Sequence, residues 1–462
     1  MLPNYKNKKG SLMSTSNGAQ VEGLRREIGV RALGISIVNL VVGGGIFVLP
    51  GLIAVQLGSA AIVAYLVCSL TVGLVFLCFA EIGSRITRSG GAYAYIEEAF
   101  GPFAGFIASV LFWFGFAALS DAAITVAMVE TMAIAFPILA EPVPRGIFII
   151  ALFTFLVIVN IMGVKAGVRL VVFNTMVKLV PLILLLAVGL FAINFENLSI
   201  TEWPTLSSIG AATVILFFAF GGAESGLSAS GEIKNPSRTV PLGLLVGLTG
   251  ILALYIGLQS VAQGVLGSEL ANNTEAPLAA VATAVFGEWG AKMLLVAGVI
   301  SIYSTVSGDM LGTPRVVFAS ARDKNLPGFL AAVHPKYKTP YVAVIFFAAI
   351  VCAFALSGTF KPLAVLSSGS LLVIYAGVSL AVLRLRHRDG EPGAGQFKVP
   401  FGATIPILSC LVVGWLLLQL TAEEATGLAA LIGASILIYA IRIISRRVQG
   451  GKESRPVNDS GL

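Results

Sequence analysis

Charge is what this 462-residue sequence has little of: Asp, Glu, Lys and Arg together make up 11% of it. A soluble globular chain carries roughly 25%, and a chain this poor in charge cannot cover a water-facing surface. Histidine is nearly missing. His334 and His387 are the two present, both in predicted loops, so no histidine-based metal site and no nucleophile–histidine pair fits the apolar segments. The four cysteines, Cys68, Cys78, Cys352 and Cys410, fall within apolar runs and show neither a disulfide framework nor metal-ligand spacing. No glycine-rich phosphate loop occurs, which excludes a self-contained ATP-driven pump. No cofactor motif is present, and an enzyme is not expected.

What the sequence does have is hydrophobicity in long runs. Hydrophobic residues make up 57% of the chain, with a mean hydropathy of +0.93. Runs such as 37–47, 60–80 and 171–195 are the material of membrane spans, each of which needs about 20 mostly apolar residues. Backbone polar groups in lipid must be satisfied within the segment, so these runs are helices. The expected fold class is all-α and integral to the lipid bilayer. Twelve spans are predicted, at 33–57, 61–83, 103–136, 145–163, 168–194, 207–230, 241–266, 290–318, 340–357, 362–385, 402–420 and 426–446.

The net charge of +7 does not point to a nucleic-acid partner, because it is laid out by loop. Lys6, Lys8, Lys9, Arg25, Arg26 and Arg31 precede the first span, and Arg85 and Arg88 follow the second. Lys165 and Arg169 follow the fourth, Lys234 and Arg238 the sixth, and Arg315, Arg322, Lys324, Lys336 and Lys338 the eighth. Arg384, Arg386, Arg388 and Lys398 follow the tenth, while Arg442, Arg446, Arg447 and Lys452 close the twelfth. The intervening loops carry Glu141, Glu196, Glu202, Glu269, Glu275, Glu423 and Glu424 instead. Basic loops stay on the cytoplasmic side, so both termini are expected there, and the alternation holds for all twelve spans. The first thirty residues read as a cytosolic tail, not a cleavable signal peptide, and the segment after Gln449 reads as a second disordered tail.

Two spans carry internal glycine clusters. Gly43-Gly44-Gly45 sits in the first, flanked by Val42 and Ile46, and Gly221-Gly222 sits in the sixth, after Phe217-Phe218-Ala219-Phe220. Close helix packing is the plainer use of glycine in membranes. Paired glycine-interrupted spans in corresponding places point instead to a transporter site at the midplane. Around these clusters the sequence resembles the amino acid–polyamine–organocation (APC) superfamily, which has the LeuT-type fold. The resemblance is carried by Val42 to Pro50, by Glu81 to Arg85 running on through Ser89-Gly90-Gly91-Ala92-Tyr93, and by Phe217 to Glu224. Glu232 to Pro241, Arg315 to Pro327, His334-Pro335-Lys336 and Thr339-Pro340 complete it.

The resemblance implies twelve helices with a 5+5 inverted repeat, helices 1 and 6 broken, and two further C-terminal helices. The divisions are a tail over 1–30, a first repeat over 31–200, a second over 201–390, helices 11 and 12 over 391–448, and a tail over 449–462. Helices 11 and 12 are left for packing or homodimer contacts. It also implies an amino acid or amine substrate. Unwinding at Val42 to Ile46 would expose amides suited to a carboxylate. The carbonyls of Phe217, Phe218, Ala219 and Phe220, freed at Gly222, would accept from an ammonium, with Phe218 as aromatic lid or as ordinary packing.

Four ionisable residues inside spans need an account, because charge there is costly. Lys178 matches the fifth-helix lysine of proton-coupled members and is expected to exchange a proton, or else to pair with an acid. Glu224 matches a glutamate of the arginine–agmatine exchangers and is assigned to substrate binding and proton coupling. Asp121 and Asp309 depart from those exchangers, and contact either the substrate or a structural partner. Glu81 and Arg85 lie one helical turn apart, as part of an inner gate or as a solvated pair. Pro241 suits the first turn of the seventh helix. The expected function is secondary active, proton-coupled transport of amino acids, including cationic ones or polyamines, by alternating access. An exchanger without net proton coupling, or a passive facilitator, are the alternatives.

Overall fold

A computed structural model describes residues 28–86, 91–163, 168–227, 233–323 and 325–453. Among these the secondary structure is helical, and the one extended pairing is an isolated parallel bridge between Ile28 and Ile233. Among the described residues, eight helical segments are long and apolar enough to cross a membrane, and five shorter apolar helices accompany them. The expectation of a helical membrane protein holds.

The chain begins with α1 (Val30–Val41) and α2 (Gly45–Leu57), separated at the first glycine cluster. It turns at Gly58, whose φ is 53°, into α3 (Ala61–Arg85). A short helix α4 (Gly91–Phe100) then leads to α5 (Pro102–Val110) and α6 (Leu119–Ala135), which are joined by a π-helical stretch, Leu111–Ala118. α7 (Pro142–Met162) and α8 (Val168–Gly189) follow. α9 (Leu206–Phe217) ends in a 3₁₀ turn, Phe218–Phe220, before the short α10 (Ala223–Leu227). α11 (Pro236–Leu266), α12 (Pro277–Phe286) and α13 (Glu288–Arg322) come next. α14 (Tyr341–Ser357), α15 (Phe360–Asp389), α16 (Thr404–Leu417) and α17 (Ala422–Glu453) complete the chain.

Where the elements differ from expectation, backbone chemistry explains it. α11 starts at Pro236, so Pro241 lies inside the helix and not in its first turn. A proline at the first helical position is favoured because its missing N–H would be an orphan there anyway, and Pro236 takes that place. α17 continues as helix beyond Gln449, into the segment read as tail. The rest of both tails, together with Arg88, Ser89, Gly90, Lys165, Glu232 and Lys324, lies outside the described residues.

The centre of the bundle is α1, α2, α3, α6, α9, α11, α13 and α15, which pack on one another. Glycine lets α1 run close along α11: a Cβ at Gly243 would meet the side chain of Leu33, and one at Gly247 that of Ile37. α7 sits at the periphery, and its exposed side chains (Val143, Ile147, Ile150, Phe155 and Ile158) are apolar. Such a face belongs against lipid.

Candidate functional site

The first glycine cluster interrupts the helix. α1 closes with the amide of Val42 donating to Val38 O at 2.9 Å, and Val42 leaves the helical region with ψ 85°. α2 starts at Gly45, with Gly44 as its cap and the Phe47 amide reaching back to Gly44 O at 3.1 Å. The first amides of a helix have no acceptor within it, which leaves those of Gly45 and Ile46 at this end of α2. Gly43 turns its carbonyl to the hydroxyl of Ser301 on α13, at 3.4 Å.

The second cluster interrupts α9 in the same manner. After the Phe218–Phe220 turn, Gly221 is extended with ψ 156° and Gly222 has φ 114°. A side chain would be strained at Gly222 on two counts: the dihedral favours glycine, and a Cβ would lie 3.0 Å from Leu40 O. The two interruptions therefore meet. A Cβ at Gly45 would stand 3.1 Å from that of Ala219 and 3.2 Å from the ring of Phe218. Amide donors of one break thus lie beside the carbonyl-rich turn of the other.

A residue that sequence reasoning missed holds them together. The Tyr255 hydroxyl on α11 lies 3.0 Å from both Val41 O and Ala219 O, one carbonyl at each break. Its signal was faint, a lone tyrosine in an apolar span, whose hydroxyl needs a partner when buried.

The aromatic residues of the turn are buried and packed edge-on. Phe217 meets Tyr375 at 5.6 Å, Phe218 meets Phe360 at 5.6 Å, and Phe220 meets Tyr255 at 5.1 Å between ring centroids. Glu224, fully enclosed, accepts from the Gly222 amide at 2.9 Å and from the Tyr375 hydroxyl at 2.8 Å. Both of its oxygens are thereby engaged with the break and with α15.

Lys178 is buried on α8, and its ammonium donates to the backbone carbonyl of Asn39, just before the first break. The neighbouring Thr175 hydroxyl bonds the Asn39 side chain at 3.0 Å. Among the described residues no carboxylate lies within ion-pair distance of Lys178, so the expected alternative of an acid partner has no support here. Asp121 on α6 and Asp309 on α13 face each other. They flank the first break, where the side chains of Ile124 and Ile302, from the same two helices, close on Gly44.

Two further acids of the apolar segments lie elsewhere. Glu130 forms an ion pair with Arg145 at 3.7 Å, partly exposed at the far end of α6. Glu81 is not a solvated partner of Arg85, which stands 3.9 Å away. It is fully buried and receives the Arg386 guanidinium through Nε at 2.7 Å and through Nη2, and the Val399 amide at 2.8 Å. A carboxylate without water needs such saturation.

Comparison with known proteins identifies the family. The family model described as amino acid permease matches residues 28–443. The serine/threonine exchanger SteT of Bacillus subtilis is 30% identical, over 90% of this chain and 97% of its own. The branched-chain amino acid permease BcaP of the same organism is 29% identical, over 86% and 88%. The methylthioribose transporter of that organism is 26% identical, over 94% and 96%. With two interrupted helices meeting in an apolar bundle and a family match along nearly its whole length, this chain is an integral membrane transporter, not an enzyme, and belongs to the amino acid permease family of the APC superfamily.

Proposed function

We propose that this permease is a secondary active carrier of amino acids that works by alternating access and draws on the proton gradient. In this reading it has twelve spans in a 5+5 inverted repeat, with both termini on the cytoplasmic side of the plasma membrane. The supporting observation is the meeting of the two breaks at Gly45 and Ala219. A zwitterionic head group needs donors for its carboxylate and acceptors for its ammonium a few ångströms apart. The start of α2 supplies the donors at Gly45 and Ile46, aided by the helix dipole. The turn at Phe217, Phe218 and Phe220 supplies carbonyls, while Ala219 O is engaged by Tyr255. Phe218, against Gly45 and Phe360, serves as the lid.

Lys178 is the proton carrier in this reading. Its ammonium holds the last turn of α1 through Asn39 O, and buried lysines give up protons readily. Loss of that proton would remove the charge from this hydrogen bond and weaken the hold on α1, so that its half of the broken helix could move. Glu224, Asp121 and Asp309 make the polar surface below the breaks acidic, which favours a cationic amino acid or a polyamine as cargo. A second reading, obligate exchange of small neutral amino acids, is favoured by the name of the serine/threonine exchanger relative.

Uptake into proteoliposomes of the purified protein separates these readings, using labelled amino acids and polyamines with and without an inward proton gradient. Gradient-stimulated uptake that falls at least tenfold in Lys178→Ala supports proton coupling through this lysine. Uptake that requires internal amino acid and ignores the gradient makes the protein an exchanger. Flux that does not saturate with concentration returns the facilitator reading.

A further inference from the structure

The Asp121 side chain is 0% exposed, and no donor reaches either of its oxygens. What faces it is another carboxyl, that of Asp309. The other ionisable groups around the pair are committed elsewhere. Glu224 on α10, within electrostatic reach of Asp309, is bonded to Gly222 and to Tyr375 of α15. Lys178 on α8 donates to Asn39 O. No fixed cation among the described residues therefore compensates the two carboxyls.

Two facing carboxylates repel, and a buried carboxylate without a donor, as Asp121 is, is costly to keep. Something positive belongs between them, and two species fit: a proton, or a cationic group of the cargo. We infer that the Asp121–Asp309 pair takes these in turn, holding one shared proton in the empty carrier and a primary ammonium or guanidinium of the substrate in the loaded one. As the cation enters, the proton leaves to the water of the open vestibule. Pair and occupant carry a net single negative charge in both states, so the exchange adds no buried charge. This inference rests on the carrier reading above and adds to it a direction. A proton on Lys178 travels with the substrate; a proton on the carboxyl pair travels against it.

Neutral amino acids bring no second cation and leave the shared proton in place. Protons therefore compete with cationic cargo alone. The test uses proteoliposomes with a trapped pH indicator, with lysine, arginine and putrescine as cationic probes and serine and leucine as neutral ones. Entry of each cation should expel about one proton, and its half-saturating concentration should rise about tenfold for each unit that pH falls once the pair holds its proton. Serine and leucine should show neither effect. In Asp309→Asn and Asp121→Asn the amide donates to the remaining carboxylate, so cation uptake should fall at least tenfold and lose its pH dependence, with partial rescue by Asp309→Glu.

Cation uptake without proton counter-movement overturns the inference, as does counter-movement lost in Lys178→Ala but kept in Asp309→Asn. A wild-type protein that moves only neutral amino acids also overturns it, while leaving the carrier reading intact. Uptake of no probe at all overturns both. The wild-type measurements decide the matter even where an Asn variant fails to fold.

Discussion

Tyr255 concentrates the problem of the site in one hydroxyl. A broken membrane helix leaves backbone carbonyls without helical partners, and in an apolar bundle each must find another donor. The hydroxyl sits between Val41 O and Ala219 O at 3.0 Å from each, tying the two half-sites to each other through α11. Tyr255→Phe removes this group and little else, leaving the edge-on packing against Phe220. Val41 O keeps the Gly43 amide at 2.8 Å, so the loss falls on Ala219 O, and a buried carbonyl that loses its donor costs about 1–3 kcal/mol. The variant is therefore expected to unfold at a lower temperature in detergent and to take up substrate at least several-fold more weakly at low concentration. An unchanged melting profile with unchanged half-saturation would remove the residue from the site. The residues around it differ in how legible they were. Gly43 to Gly45 and Gly221-Gly222 announced the breaks because two clusters fall at corresponding places in the chain. Tyr255 and the facing of Asp121 with Asp309 depend on which helix sides meet, and no local pattern encodes that.

At the level of elements, hydropathy located the long helices well and their ends less well. α13 runs from Glu288 to Arg322 and α15 from Phe360 to Asp389, both beyond the apolar windows, because polar residues extend a helix past the lipid at no cost. α4 and α12 were missed: the first carries Glu97 and Glu98, and both have ten residues, too few to span. The π-helical stretch at Leu111–Ala118 was invisible for the opposite reason, since every residue in it is apolar or glycine. It is stabilised from outside, where Ser367 on α15 donates to Phe116 O at 3.0 Å. The clamp between α3 and α15 is a bidentate ion pair on a buried carboxylate. Glu81 is buried and held by Arg386 and by the Val399 amide. Removing one partner of a buried pair leaves an uncompensated charge and costs about 3–5 kcal/mol, whereas replacing both by apolar groups is often nearly neutral. Arg386→Leu alone should lower the melting temperature sharply, and adding Glu81→Leu should restore most of it. Additive losses in that cycle would mean that the pair is not coupled.

At the scale of the whole molecule, loops that carry positive charge meet one another in pairs. Arg85 at the close of α3 donates to Gly390 O beyond α15, at 3.1 Å. The Thr339 hydroxyl before α14 donates to Ile161 O at the close of α7, at 2.8 Å. The Lys234 amide, past the second break, donates to Ile28 O ahead of α1, at 2.9 Å. Three separate pairs of loops thus meet, and each pair joins segments that the charge pattern placed on the same side. The acidic segment after α11, with Glu269 bonded through Asn272 at 2.9 Å, belongs to the opposite set. Contacts group the loops, and the proposed reading, which puts the basic group on the cytoplasmic side, adds a direction to that grouping. Single cysteines test the orientation directly. The native ones lie buried or half-buried in helices, so their background with a membrane-impermeant maleimide should be low. Thr274→Cys, between α11 and α12, should label in intact cells. Gly393→Cys, in the exposed loop after α15, should label only after the membrane is opened. The reverse pattern would invert the whole molecule, putting the termini outside and turning the acids below the breaks toward the outer vestibule, which is the side from which a carrier would then release its proton.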